Sequence, residues 1–97
     1  GYQAAFISGA ALSESNLGQP DVGLMGMEEN LSACRRLANC CNLALLADCD
    51  TGYGNAVNVH YAVQEFIWAG VAGLQIAFPL VLVTHGDGAL LLRDMMR

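Results

Sequence analysis

Three short uncharged apolar runs, separated by two helix-length amphipathic stretches, constrain this chain more than any other feature. Ala4-Ala5-Phe6-Ile7 stops at Ser8-Gly9, as a buried strand does where it enters a tight turn. Leu43-Ala44-Leu45-Leu46-Ala47 is apolar at every position, the mark of a strand covered on both faces in a parallel sheet. Val71-Ala72-Gly73-Leu74-Gln75-Ile76 reads as a third buried strand. From Met27 the apolar positions fall at 27, 31, 34, 37, 38 and 41, one face of a helix. Glu28, Glu29, Arg35, Arg36 and Asn39 take the opposite face, and the two glutamates stand in the first turn, where they favour the helix dipole. Asn55 is placed to cap a second helix with Val59, Ala62, Val63, Phe66 and Ile67 on its inner stripe, and Gly70 fits its left-handed C-terminal cap. Residues 10–26, rich in Gly, Ser, Asn and Pro, read as a long loop around Gln19-Pro20-Asp21. Strand, helix, strand, helix, strand with connections this short predicts α/β architecture built on a parallel sheet or barrel.

Charge narrows the function classes. The net charge is −5 with only four Lys plus Arg, so there is no basic face to displace counterions from phosphates, and nucleic acid is excluded as a partner. Arg35 and Arg36 belong to a solvated helix face beside Glu28 and Glu29. Charged residues make up 13 % of the 97, against about 25 % in ordinary globular chains. With 55 % apolar residues, much of the surface is expected to be covered by a larger fold or a partner.

The four cysteines at 34, 40, 41 and 49 form no Cys-x-x-Cys pair, and neither His60 nor His85 lies at zinc-finger spacing from them. Cys40 and Cys41 read as small buried apolar residues near a helix end. No secretory signal pattern opens the chain, so reduced thiols and a cytoplasmic location are expected. Phe66 to Gly86 carries no charge and is long enough to span a bilayer. It contains Gly70, Gly73, Gln75 and Pro79, and reads instead as a helix end, a strand and an apolar tail in succession, so membrane association is not expected.

Chemistry concentrates at Asp48 and Asp50. Residues i and i+2 of a strand share a face, so the two carboxylates would stand side by side at the C-terminal end of the second strand. In a parallel barrel, active sites occupy that end. Two hard oxygen ligands with room for water and substrate suit magnesium, while a pair of turn or capping aspartates before a Gly-rich loop is the plainer alternative. An EF-hand is ruled out, because Gly52, Tyr53 and Val59 occupy positions that need Asp or Asn, Gly and Glu. Gly52-x-Gly54 is no dinucleotide fingerprint either, with Val57 where the third glycine belongs.

Phe6-Ile7-Ser8-Gly9-Ala10, Leu17-Gly18-Gln19-Pro20-Asp21-Val22-Gly23-Leu24, Ala47-Asp48-Cys49-Asp50-Thr51-Gly52-Tyr53-Gly54-Asn55 and Ala69-Gly70-Val71-Ala72-Gly73-Leu74-Gln75-Ile76 occur in this order. In them the chain resembles the isocitrate lyase/phosphoenolpyruvate mutase superfamily, in its methylisocitrate lyase, carboxyphosphonoenolpyruvate mutase and dimethylmalate lyase branch. The resemblance implies a fragment of a (β/α)8 TIM barrel, about three parallel strands with two intervening helices, truncated after about residue 76. A full barrel takes about 250 residues. Open sheet edges would then promote association of the chain with itself or with an intact barrel.

The same resemblance implies roles. Ser8, Gly9 and Ala10 match the turn whose hydroxyl and N–H groups hold a substrate carboxylate and oxyanion, and Asp21 the acidic residue of the Pro-Asp loop. Asp48 matches the direct magnesium ligand and Asp50 a carboxylate acting through water, with Mn2+ as an alternative to Mg2+. Phe6 stands where the lyases often carry Tyr, so a hydroxyl contact is missing there. The implied reaction cleaves a C–C bond of a 2-hydroxy or substituted di- or tricarboxylate, a small carboxylate substrate, to a pyruvate- or glyoxylate-like product.

Residues 77–97 depart from the pattern. The family follows Gln75-Ile76 with Glu-Asp, whose Glu completes the magnesium shell, but here Ala77-Phe78-Pro79 follows. Nothing in 77–97 matches the closing loop, so the chain divides into a partial barrel, 1–76, and an unrecognised apolar tail, 77–97, and by itself is expected to be inactive. His85-Gly86-Asp87-Gly88 reads as a turn and the last residues as a short apolar helix; His60 reads as a solvated helix residue and Trp68 as a packing residue. Competing readings are a non-catalytic interaction module and a small membrane-associated protein.

Overall fold

A computed structural model describes residues 1–77 and the backbone of residues 80–84. Strands β1 (Ala4–Ile7), β2 (Ala44–Asp48), β3 (Gly73–Ala77) and β4 (Leu80–Thr84) form one sheet in the order β1-β2-β3-β4. The first three run parallel, joined through helix α2 (Met27–Cys40) and helix α3 (Ala56–Ala69); a short helix α1 (Gly9–Leu12) follows β1 directly.

Register explains the core. Ile7 pairs with Ala47 and Ala47 with Leu74, so one row of side chains crosses all three parallel strands on the same face. All three are buried in one cluster with Leu31, Ala33 and Cys34 of α2 and Phe66 of α3. Side chains such as Phe66 and Leu74 each contribute about 1.5–3 kcal/mol by leaving water. The opposite face is barely covered. Phe6 pairs with Leu46 and Leu46 with Gly73, and Phe6 is 45 % exposed with Leu46 half-buried. The expectation of burial on both faces of β2 therefore fails, because among the described residues helices cover one side only.

Both long helices form where periodicity places them. Glu29 Oε1 accepts from Gly26 N–H at 3.1 Å and starts α2, and Asn55 Oδ1 accepts from Val57 and Asn58 N–H at 3.0 and 3.2 Å to start α3. Gly70 closes α3 at φ 108°, and a Cβ there would sit 3.0 Å from Ala38 Cβ, so its lack of a side chain lets the two helices meet. Trp68 is 70 % exposed, contrary to the packing role expected of it, since it faces away from the stripe formed by Ala62, Phe66 and Ala69. His60 is exposed as expected.

Residues 10–26 differ from the expected long loop. Ser8 Oγ accepts from Ala11 N–H at 3.2 Å and nucleates α1, which continues into a π-helical turn at Ser13–Leu17 ended by Gly18 at φ 64°. The hydroxyl of buried Ser13 reaches the carbonyl oxygens of Gln19 and Pro20 at 3.1 and 3.2 Å, tying the turn to the next segment. Cys40 is exposed and Cys41 half-buried, so the pair is not the buried couple expected. β4 pairs antiparallel with β3, from Ala77 opposite Leu80 to Gly73 opposite Thr84, and so covers an edge expected to be open. Within the described residues no helix is long and apolar enough to cross a membrane. His85, Asp87 and the apolar stretch to Arg97 lie outside them.

Candidate functional site

The C-terminal ends of β1 and β2 meet at Gly9. Its N–H donates to Asp48 Oδ2 at 3.2 Å. A Cβ at Gly9 would lie 3.0 Å from Asp48 Oδ2 and 3.4 Å from Asp50 Oδ1, so both carboxylates crowd a spot that only glycine leaves free. Asp48 Oδ1 accepts from the Asp50 N–H at 3.1 Å, an Asx turn that fixes the carboxylate plane.

The two carboxylates converge by a different route from the pleat of a strand. β2 ends at Asp48, and Asp50 lies in the following turn at φ 49°, left-handed for a non-glycine residue. Tyr53 takes φ 66° in the same turn. Two such residues within four positions store backbone strain, a property that concentrates at functional sites. Burial holds the Asp50 carboxyl above the usual carboxylate range, and the Asp48 and Asp21 carboxylates push it further the same way. Asp21 is thus close enough to act on Asp50 electrostatically, although it is itself exposed.

Beneath the pair lies a buried polar network. Asn30 Nδ2 of α2 donates to the Asp48 carbonyl oxygen and to Tyr53 Oη, both at 2.7 Å, while Asn30 Oδ1 accepts from Cys34 Sγ at 3.4 Å. Tyr53 stacks on Phe66 with ring centroids 6.4 Å apart. Burial pushes the Tyr53 hydroxyl up, opposed in part by the Asn30 hydrogen bond, and pushes the Cys34 thiol up to about 12. Every buried side-chain polar atom among the described residues has a hydrogen-bond partner.

Ser8, Gly9, Asp48 and Asp50 are therefore brought to one end of the sheet, with Ala10 in the first turn of α1 and Asp21 nearby. The phosphoenolpyruvate phosphomutase family model matches residues 1–77. The chain belongs to that family. It is 43 % identical over 76 residues to the 2,3-dimethylmalate lyase of Eubacterium barkeri, covering 78 % of this chain and 26 % of the relative. It is 47 % identical over 74 residues to the chloroplastic carboxyvinyl-carboxyphosphonate phosphorylmutase of Arabidopsis thaliana, covering 75 % and 22 %. A phosphonopyruvate hydrolase solved in complex with oxalate and Mg2+ superposes with a TM-score of 0.71 at 33 % identity, covering 78 % of this chain and 26 % of that one. The chain spans about a quarter of the length of these relatives. The β1–α–β2–α–β3 unit is accordingly a piece of the TIM-barrel fold of the phosphomutase superfamily, as the motifs imply.

Ala77 ends β3 beside the site, its N–H donating to the Asp50 carbonyl oxygen at 2.6 Å. Among the described residues no group of three or more His, Cys, Asp or Glu side chains is arranged to hold a metal ion. Sequence reasoning missed Asn30 and Tyr53, the residues that brace Asp48 from below. Asn30 carried a usable signal: it falls between Met27 and Cys34 on the buried stripe of α2, where a polar side chain must find partners.

Proposed function

We propose that this chain carries part of the catalytic face of a magnesium-dependent lyase or mutase acting on the carbon skeleton of a small 2-hydroxy or substituted di- or tricarboxylate, and that alone it does not turn over. The observation that supports the reading best is the convergence of Asp48 and Asp50 on the space beside Gly9. Two N–H groups occupy one lone pair on each Asp48 oxygen, leaving acceptor sites free on both. Asp50 is held partly against its own ionisation by burial and by like charge, a cost that a nearby cation offsets. The donor set would suit Mg2+ or Mn2+, which Asp48 would hold directly and Asp50 through water, as the family motif implies.

When bound, such a metal supplies Lewis-acid stabilisation of enolate or alkoxide charge. The chain's own groups then orient the substrate. Ser8 Oγ accepts from Ala11 N–H, so its hydroxyl hydrogen is free to donate to a carboxylate oxygen. The Ala10 N–H, in the first turn of α1, lacks an intrahelical acceptor and would serve as a second donor to an oxyanion, as the family motif implies. Gly9 acts differently from the role its motif implies, because its N–H holds Asp48 rather than substrate. Asp21, the acidic residue of the Pro-Asp loop, stands near enough to Asp50 to act on it electrostatically and would lie beside the bound substrate. Inactivity of the isolated chain follows from Ala77, which offers no carboxylate beside Asp50. The products remain those implied by the family, pyruvate- or glyoxylate-like acids, and a cytoplasmic location accords with such metabolism.

Isothermal calorimetry with Mg2+ and Mn2+ on the chain and on Asp48→Ala tests this. Binding that disappears in the variant supports the site, and an assay with 2-methylisocitrate and 2,3-dimethylmalate then measures turnover. Equal binding by both proteins would sink the assignment of Asp48. A second reading, a non-catalytic module that pairs with an intact barrel, is favoured by the edge of β1, which no other described strand pairs, and by exposed Phe6 on the face that points to a barrel interior.

A further inference from the structure

Away from the carboxylates, the C-terminal end of α2 presents two neighbouring thiols. Cys40 Sγ and Cys41 Sγ both donate to a single acceptor, the Leu37 carbonyl oxygen, at 3.4 and 3.3 Å. Cys40 is the last residue of the helix and Cys41 takes extended backbone at φ −145°, so the chain turns between them and brings both sulfurs to the same side. Cys40 is exposed and Cys41 half-buried, and neither is engaged in a disulfide. Both line a cleft of about 430 Å³ whose walls include Phe6, Ile7, Leu12, Leu37 and Leu43. Two accessible thiols thus stand at the mouth of an apolar cavity.

We propose that Cys40 and Cys41 form a chelating dithiol site for a trivalent arsenical carrying an apolar group, the arsenic bridging the two sulfurs and the group entering the cleft. With phenylarsine oxide, two S–H bonds and the arsenic–oxygen bonds break. Two arsenic–sulfur bonds form, and both thiol protons leave with the oxygen as one water. Arsenic stays trivalent, so no oxidant or reductant is needed. The hydrogen bonds given up are weak S–H donations to one carbonyl. The second arsenic–sulfur bond forms within one molecule, at high effective concentration, which makes the chelate far longer lived than a single thiol adduct. Cys34 and Cys49 do not compete, since both are buried and burial raises both thiols.

The experiment treats the folded chain with one equivalent of phenylarsine oxide and follows intact mass and free thiols. One phenylarsenic group per chain, two thiols consumed, and retention under a glutathione challenge are expected. Cys40→Ser and Cys41→Ser, each checked for native circular dichroism, should lose the adduct to glutathione at least tenfold faster, while Cys34→Ala leaves retention unchanged. Retention undiminished in the Cys40→Ser/Cys41→Ser double variant would place the adduct on the buried thiols and overturn the proposal, as would no adduct on the native chain. Inorganic arsenite, which lacks the ring, should leave at least tenfold faster than the phenyl compound; equal rates would overturn the part given to the cleft.

Discussion

The backbone N–H of Ala77 donates to the carbonyl oxygen of Asp50 at 2.6 Å, which fastens the end of β3 to the turn that carries the second carboxylate. A side chain at position 77 therefore emerges within reach of that turn. Ala77→Glu should place a third carboxylate beside Asp48 and Asp50 and tighten Mg2+ or Mn2+ binding at least tenfold, read by calorimetry. Adding Asp48→Ala to that variant should abolish the gain. Unaltered affinity in Ala77→Glu would mean that the end of β3 does not face the site.

Asp50 predicts an unusual pH response. Its carboxyl is raised in the folded chain by burial first and by Asp48 and Asp21 next, so its charged form disfavours folding. That penalty is present in full above the raised folded value, and it disappears as pH falls through that value towards the ordinary one of about 3.9. Asp50→Asn should accordingly raise the thermal midpoint at pH 7 without divalent metal, helped by the ease with which Asn adopts φ 49°. The advantage should shrink on acidification into that window. A variant less stable than the parent at pH 7 would contradict it.

Gly9→Ala puts a methyl 3.0 Å from Asp48 Oδ2 and 3.4 Å from Asp50 Oδ1. Crowding of this kind costs about 1–3 kcal/mol, because the Asp48 carboxylate is tied by two hydrogen bonds and cannot withdraw freely. Urea unfolding should show the loss, and metal binding should weaken with it. Ser8→Ala, which removes only the cap of α1, serves as the comparison and should cost about 1 kcal/mol.

How much of this was legible beforehand depends on what each signal measures. Apolar spacing reports which face of an element is covered, so α2, α3, the Asn55 cap and the Gly70 terminus were readable to within a residue or two. It says nothing about strand polarity, and β4, whose residues are apolar throughout Leu80–Val83, gave no hint that it would run antiparallel. The meeting of Asp48 and Asp50 was inferred from a pleat that stops at Asp48; the left-handed turn at Asp50 produces it instead. Residues 13–17 were hidden because Ser and Asn signal loops, yet they wind here into a π-helical turn tied by the Ser13 hydroxyl.

Asn30 offers a test of that network. It is fully buried and bridges Asp48 and Tyr53. Asn30→Ala leaves the Asp48 carbonyl and the Tyr53 hydroxyl without this donor and opens a cavity, at a cost of about 2–3 kcal/mol. Chemical denaturation should register that loss, and Tyr53→Phe, which removes one bond and no ring, should cost less. A loss larger in Tyr53→Phe would show that the network is anchored from the other side.

The antiparallel pairing of β4 has a directional consequence. A (β/α) barrel grows like a one-way street, each new strand laid alongside the last in the same sense until the circle meets itself. At β3 that traffic is turned round: the hydrogen-bonding groups that would receive the next parallel strand already face β4 running backwards. A strand donated by another molecule to pair with the described strands in parallel and in the barrel's sense must dock at β1 or first unseat β4. Among the described strands, the doorway for a parallel neighbour in the barrel's sense is therefore β1, on the side of Phe6 and Ser8.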